Sequence, residues 1–274
     1  MSVGLIRKVK RAVRVTDSFL GTYGISLVKT VRALRGTPGF INDFRTFKQM
    51  LGTRTDWMFG PMLPMLEDRH AQSGTASGHY FHQDFLVARR IHQRNPRRHI
   101  DVGSRIDGLV AHVASFREIE IVDIRPLTTH IPNVKFIQMD LMDTLAPDQA
   151  AICDSLSCLH ALEHFGLGRY GDRVDPDGYK TGFNNLVQIL EPCGILYISV
   201  PIGRQRVEFN AHRVFGFEHL LEMFEVHHLQ LLAFSFVKDD GNLVENVSMT
   251  PDVIATVSDL TYGCGIFELS KQSI

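Results

Sequence analysis

The chain has few cysteines, no long apolar run and almost no net charge, and each shortage excludes something. Its four cysteines, Cys153, Cys158, Cys193 and Cys264, contain no C-x-x-C pair and no zinc-finger spacing. They argue against a disulfide framework and read as reduced thiols of a cytoplasmic protein. No apolar run approaches the roughly 18–20 residues needed to cross a bilayer. Residues 1–20 lack the unbroken apolar stretch and small-residue cleavage site of a secretory signal. With 44% hydrophobic and 22% charged residues, the composition excludes a mostly disordered or fibrous chain. At about 150 residues per domain, the length suggests nearly two units.

The net charge of −1 is a cancellation. Residues 1–54 hold eleven Lys/Arg against Asp17 and Asp43, about +9, whereas the remainder holds 18 basic and 28 acidic residues, about −10. The basic front reads as short helices. Ile6, Val9 and Val13 recur at helical spacing among Arg7, Lys8, Lys10, Arg11 and Arg14. Leu27, Val28, Val31 and Leu34 form a second stripe opposite Lys29, Arg32 and Arg35. Gly36-Thr-Pro-Gly39 is expected to break this helix, and Phe40, Phe44, Phe47 and Leu51 to form a third stripe. Such a segment suits either a helical extension with solvated basic faces or peripheral contact with an anionic membrane through residues 1–36. It has no nucleic-acid motif, so no nucleic-acid partner is expected.

From His99 onward, strand-like and helix-like runs alternate. Strands are expected at 99–103, 119–123, 134–138, 151–155 and 195–200, with a terminal pair at 229–237 and 265–269. Helices are expected at about 83–94, 107–116 and 182–190, the last closed by Glu191-Pro-Cys-Gly194. The ten residues between Asp123 and Val134 are too short for a full helical crossover. This alternation predicts an α/β fold with a mostly parallel sheet, whose ligands sit at the carboxyl ends of the strands. The expected organisation is a basic extension (1–54), a connecting segment and helix (55–98), and the α/β domain (99–274).

The strand ends carry the chemistry. Gly103-Ser-Arg-Ile-Asp-Gly108 has the outline of G-x-G-x-x-G with arginine in the middle place. Asp123, about 20 residues on, suits a ribose diol. Asp101 lies two residues before the first glycine, and Asp140-Leu141 after the third strand suits an adenine amino group. These features favour S-adenosylmethionine over a dinucleotide. Residues 99–271 resemble a class I methyltransferase, on Asp101-Val-Gly103, Asp123, Leu162-Glu163-His164 and Pro192-Cys-Gly194. More narrowly, the chain resembles a little-characterised methyltransferase-like family found among bacterial surface-polysaccharide biosynthesis genes. That resemblance rests on Tyr80-Phe-His-Gln-Asp84, the 101–108 loop, Asp123-Ile-Arg-Pro126, the run from His160 to Asp172, Asn210-Ala-His-Arg213 and Tyr262-Gly-Cys-Gly265.

The resemblance implies a Rossmann-like sheet with an antiparallel last strand. It also implies methyl transfer from S-adenosylmethionine to an oxygen of a sugar or lipid-linked glycan, placing the protein in the cytoplasm or at the inner face of the membrane. Asp101, Gly103, Arg105, Asp123, Asp140 and Leu141 would serve the cofactor, and Glu163, His164 and His212 the acceptor or its proton. Glu163 and His164 could also hold a divalent ion. Arg105 departs from the family pattern: it could pair with the cofactor's carboxylate or an anionic acceptor, or fill the pocket and leave a non-catalytic fold. Two further readings are a nicotinamide enzyme and a zinc peptidase, the latter because His160-Ala-Leu-Glu-His164 matches H-x-x-E-H. Gly166 and Gly168 would cut short the long helix that motif needs. Asp172, Asp175 and Asp177 lack the end ligands of a calcium loop and read as an ordered turn.

Overall fold

The computed structural model describes residues 16–17, 19–54, 56–70 and 73–273, so the expected helix on Ile6, Val9 and Val13 lies outside the described residues. The chain forms two compact units, Met1–Thr75 and Ala76–Ile274. Among the described residues, no helix is long and apolar enough to cross a membrane.

The first unit is built on helix α1, Leu27–Leu51. Ser26 caps it by accepting from the Lys29 amide, and Asp17 accepts from the Leu27 amide at 2.8 Å. The helix does not break at Gly36-Thr-Pro-Gly39; Pro38 lies inside it. Thr37 Oγ1 donates to the Ala33 carbonyl, giving the chain around the proline a local bond. The glycines there serve packing. A Cβ on Gly36 would collide with the Leu66 carbonyl, and one on Gly39 would meet the Arg69 guanidinium at 2.6 Å. Residues 59–69 therefore run close along α1, held by Phe59 against Phe44 and Phe47, and by ion pairs Arg32–Glu67 and Arg69–Asp43. No residue of α1 is fully buried.

The second unit opens with α2, His79–Arg94, which starts four residues before the expected helix and buries Leu86, Val87, Ala88 and Ile91. Strands follow at β1 (His99–Val102), β2 (Ile119–Asp123), β3 (Val134–Gln138), β4 (Cys153–Leu159) and β5 (Leu190–Ile202). Between β1 and β2 the chain makes a wide turn at Ile106–Val110 and a short helix, α3 (Ala111–Ala114). Between β4 and β5 lies α4, Gly178–Ile189. After β5 come a hairpin of β6 (Arg206–Glu208) and β7 (His212–Val214), then α5 (Phe217–Val226). The chain ends with β8 (Leu229–Val237), β9 (Leu243–Val244), α6 (Pro251–Ser258) and β10 (Gly263–Lys271).

The sheet order is β3-β2-β1-β4-β5-β10-β8-β9. β1 to β5 are parallel, and β10 runs antiparallel between β5 and β8. This is the expected Rossmann-like sheet, mostly parallel with an antiparallel last strand. The two-residue alternation of β5 sorts its side chains. Leu196, Ile198 and Val200 join one core layer with Phe183, Leu220 and Phe267, while Tyr197 joins the other with Leu86, Ile91 and Val113. Glu191-Pro-Cys-Gly194 forms a bulge inside β5, where two steps along β4 oppose five along β5. Cys193 sits there at φ 63°.

β4 is longer than the expected 151–155 strand, because its serines are inward. Ser155 Oγ lies 2.7 Å from His99 Nδ1, and Ser157 Oγ lies 2.5 Å from Asp101 Oδ1. These are cross-strand pairs, His99 with Ser155 and Asp101 with Ser157. In sequence such serines resemble a loop; in the sheet they satisfy polar groups of β1.

Candidate active site

Strand order reverses between β1 and β4, and a cavity opens there at the carboxyl ends of β1 to β4. Of the expected cofactor residues, Gly103, Asp123, Asp140 and Leu141 line it, and so does His164 among the expected acceptor residues. Gly103 is needed twice over: its φ is 72°, and a Cβ would stand 2.8 Å from Ala161 Cβ. Its amide donates to the Val122 carbonyl, drawing the loop over the end of β2. Asp140 accepts from the Met142 amide at 2.8 Å, and Asn185 holds the Leu141 carbonyl, so the segment after β3 is fixed from behind.

Asp101 is brought beneath the cavity and does not line it. It is fully buried and accepts from the Ser104 amide and hydroxyl and from Ser157. Burial pushes its carboxyl up to about 7, against the lowering pull of those bonds. Its work is to shape the glycine-bearing loop. Arg105 also leaves the cavity empty: it turns outward to Asp107, its guanidinium 5.7 Å from the Tyr80 ring centroid.

The residue that does enter is Arg125. Its amide and Nε donate to Asp123 Oδ1 at 2.8 and 3.0 Å, and Nη2 donates to Oδ2 at 2.7 Å. The same guanidinium lies 4.4 Å from the Tyr170 ring centroid. Asp123 and Arg125 also border an outer cleft that includes Arg105 and Phe136, so this clasp stands between inner cavity and outer cleft.

The residues expected to serve an acceptor follow β4. His160 ends the strand at φ 51°, and Leu162–His164 is a single tight turn. The long helix that an H-x-x-E-H peptidase needs is not formed. Glu163 is buried, with Oε1 2.5 Å from His160 Nδ1 and 3.8 Å from His164 Nε2. Burial alone would push the Glu163 carboxyl up, but the charge and hydrogen bond of His160 outweigh it and hold the group below its usual range. Burial works against the His160 charge too, yet Glu163 raises it well above a free imidazole. The two form a buried ion pair. His164 differs: burial lowers its pKa, and its Nδ1 lies 2.7 Å from the Ala211 carbonyl. Nδ1 must then carry the proton, leaving Nε2 with a lone pair.

His212 does not line the cavity. It packs on Tyr262, ring centroids 4.8 Å apart, and its Nε2 lies 3.3 Å from Glu208 Oε2 without hydrogen-bond geometry. Arg213, beside it, is a clamp, donating to the carbonyls of Phe165 and Pro176. Asp172 takes the amides of Gly166, Gly168 and Tyr170, which makes the acidic run the ordered turn expected of it. Sequence reasoning assigned no chemistry to Arg125, Tyr170 or His79. Arg125 lay within the quoted Asp123-Ile-Arg-Pro126 run, and its spacing from Asp123 was the available signal.

Residues 134–247 match the model of a family described as "Caenorhabditis protein of unknown function, DUF268". No curated protein sequence matches the chain. Among solved structures, it is similar to the 1,6-didemethyltoxoflavin-N1-methyltransferase of Burkholderia thailandensis with S-adenosylhomocysteine bound. The identity there is 16% and the TM-score 0.47, over 70% of this chain and 79% of that one. It is also similar to the N-methyltransferase NodS of Bradyrhizobium japonicum with S-adenosylhomocysteine, at 12% identity and TM-score 0.47, over 72% and 89%. A third is an S-adenosylmethionine-dependent methyltransferase of Clostridium acetobutylicum, at 11% and 0.46, over 71% and 92%.

Proposed function

We propose that this chain is an S-adenosylmethionine-dependent methyltransferase whose acceptor is a hydroxyl of a sugar or lipid-linked glycan. The observation that carries the cofactor half is the cavity at the β1/β4 switch point. There a glycine at φ 72°, a carboxylate ending β2 and the Asp140-Leu141 pair after β3 surround one space, and Arg105 stays out of it. The residues fit the group, since Asp123 suits a ribose diol and Met139 and Leu141 offer apolar walls to a base.

When bound, S-adenosylmethionine supplies an electrophilic methyl on a sulfonium. The chain's task is to align the acceptor oxygen and take its proton. His164 Nε2 is the group for that proton, because it is neutral, faces the cavity wall and has its other nitrogen held by Ala211. Glu163, beside both histidines, stabilises the imidazolium that results. The glycan class is supported by the sequence resemblance alone.

Calorimetry with S-adenosylhomocysteine, beside NADH and NADPH, tests the cofactor. Saturable heat with the first alone supports the proposal; heat with a nicotinamide and none with the first ends it.

A membrane role for the first unit is supported by exposure. Leu34, Phe47 and Met50 of α1, and Trp57, Met58, Leu63 and Met65 beyond it, are all more than half exposed. Lys29, Arg32, Arg35, Arg45 and Lys48 are exposed beside them. Anionic liposomes are expected to co-sediment the full chain, and equal binding after removal of residues 1–36 removes that role for the segment.

A further inference from the structure

Behind His160, which lines the cavity, lies a second cluster that the methyl-transfer reading leaves unused. We propose that His79, His160 and Cys264 form a three-ligand site for a zinc-type divalent cation, with one coordination position open to substrate. The three residues come from the start of α2, the end of β4 and β10, and one ligand atom from each lies within 4.8 Å of the others. His79 Nδ1 and His160 Nε2 stand 3.1 Å apart. A tetrahedral cation at ordinary bond lengths needs its donors roughly 3.3–3.6 Å apart, so the histidine pair is already near that spacing.

Two independent features point to a ligand and not to a chance cluster. First, Glu163 Oε1 sits 2.5 Å from His160 Nδ1, the carboxylate–histidine arrangement that turns the other ring nitrogen toward a metal. Second, Glu163 is 1% exposed and its other oxygen, Oε2, has no hydrogen-bond partner. A buried carboxylate with one oxygen unsatisfied is costly, and a cation on His160 Nε2 would take the place of the proton that gives His160 its charge, so that Glu163 stays compensated. Stacking fixes the outer ligand: the His79 ring lies 5.0 Å from His160 on one side and 5.0 Å from Tyr262 on the other.

The donor set defines the ion. Two imidazoles and a thiolate suit zinc or cobalt(II), and exclude magnesium and calcium, which require oxygen. Three protein ligands also leave a position for a water or substrate oxygen. Cys264 and His160 are buried whereas His79 is only partly so, and Tyr80 and Tyr262 flank the cluster with exposed rings. His160 lines the cofactor cavity as well, which places the cation against it. Within the methyltransferase reading, on which this role rests, the cation anchors a second oxygen of the acceptor beside His164. The site itself does not depend on that reading.

The test is a cobalt(II) titration of the full chain after chelation, without a histidine tag. A thiolate-to-cobalt charge-transfer band in the near ultraviolet is expected at one equivalent. It should vanish in Cys264→Ser and persist in Cys193→Ser, whose sulfur is the exposed one. Because Cys264 is buried, His79→Ala serves as the variant least able to disturb folding, and it should weaken cobalt binding at least about tenfold. Glu163→Gln should weaken it by about 10- to 100-fold. No band in the wild type, or a band that survives Cys264→Ser, overturns the site. Calorimetry with S-adenosylhomocysteine on the same sample separates the two proposals: a band without cofactor heat keeps the metal site and ends the methyl-transfer reading.

Discussion

Helices α1 and α2 make an instructive pair. Both carry apolar residues at helical spacing with arginines between them, yet the 25-residue α1 buries none fully while the 16-residue α2 buries four. α2 lies on a sheet face, where Leu86, Val87 and Ile91 meet Ile119, Ile121 and Tyr197. Arg90 and Arg94 tie it to Glu268 of β10. Within the first unit, the 59–69 segment packs along α1 among the described residues. An apolar stripe therefore states that a helix has something to cover, and the tertiary partner decides whether it is core. α2 is scaffold for the site; α1 presents a surface.

The sharpest way to break this contrast is to truncate each stripe. Ile91→Ala should cost about 2–5 kcal/mol in denaturant unfolding, because Ile91 is fully buried. Leu34→Ala, at a position 68% exposed, should change stability by less than about 0.5 kcal/mol. Equal losses would mean that α1 is core after all.

Asp123→Ala should weaken S-adenosylhomocysteine binding by about 10- to 100-fold, the worth of two hydroxyl bonds to a carboxylate. Arg125→Ala should instead tighten it by a few fold, since it frees both Asp123 oxygens. Calorimetry reads both, and a loss of affinity in Arg125→Ala would assign the arginine to the bound ligand.

Gly36→Ala should destabilise the first unit by about 1–3 kcal/mol, since the new methyl meets the Leu66 carbonyl. Amide exchange should show the loss confined to α1 and residues 59–69. Protection unchanged there would mean the close approach is not needed.

The smallest effect concerns pH and the second unit alone. Burial holds His99 down to about 3 in the folded state, against about 6.5 unfolded. As pH falls below 6.5 the unfolded chain takes the proton first, so His99 draws stability away. Asp101, raised to about 7, and Asp84, raised to about 6, act in the opposite sense, because the folded state takes their protons first. His99→Gln removes only the first contribution. Between pH 6.5 and 5 its stability should therefore fall less than the wild type's, by about 1–2 kcal/mol, as read by urea unfolding at each pH. A parallel fall in both proteins would show that His99 titrates normally.

The candidate site was legible where function needs a residue type at a strand end. Gly103, Asp123, Asp140 and Leu141 follow strands whose apolar runs mark them, and all four line the cavity. Asp101 was found by the same reasoning, but its carboxylate turns under the loop because Ser104 and Ser157 receive it there. The 151–155 strand stopped short because serine in a strand looks like a loop until His99 and Asp101 stand opposite. Gly36 and Gly39 looked like a break because a glycine that ends a helix and one that admits a neighbour are the same letter.

By itself the sequence determined the local chemistry: which stretches are strands, which end in glycine or carboxylate, and that a basic front offsets an acidic body. Periodicity and charge are properties of neighbouring residues, so they survive without a fold. Only the tertiary structure decided what meets across the chain. It turned Arg105 outward, laid Arg125 on Asp123, and gathered His79, His160 and Cys264 from positions up to 185 residues apart. Such meetings depend on sheet order and on which face each side chain takes, and no local pattern encodes either.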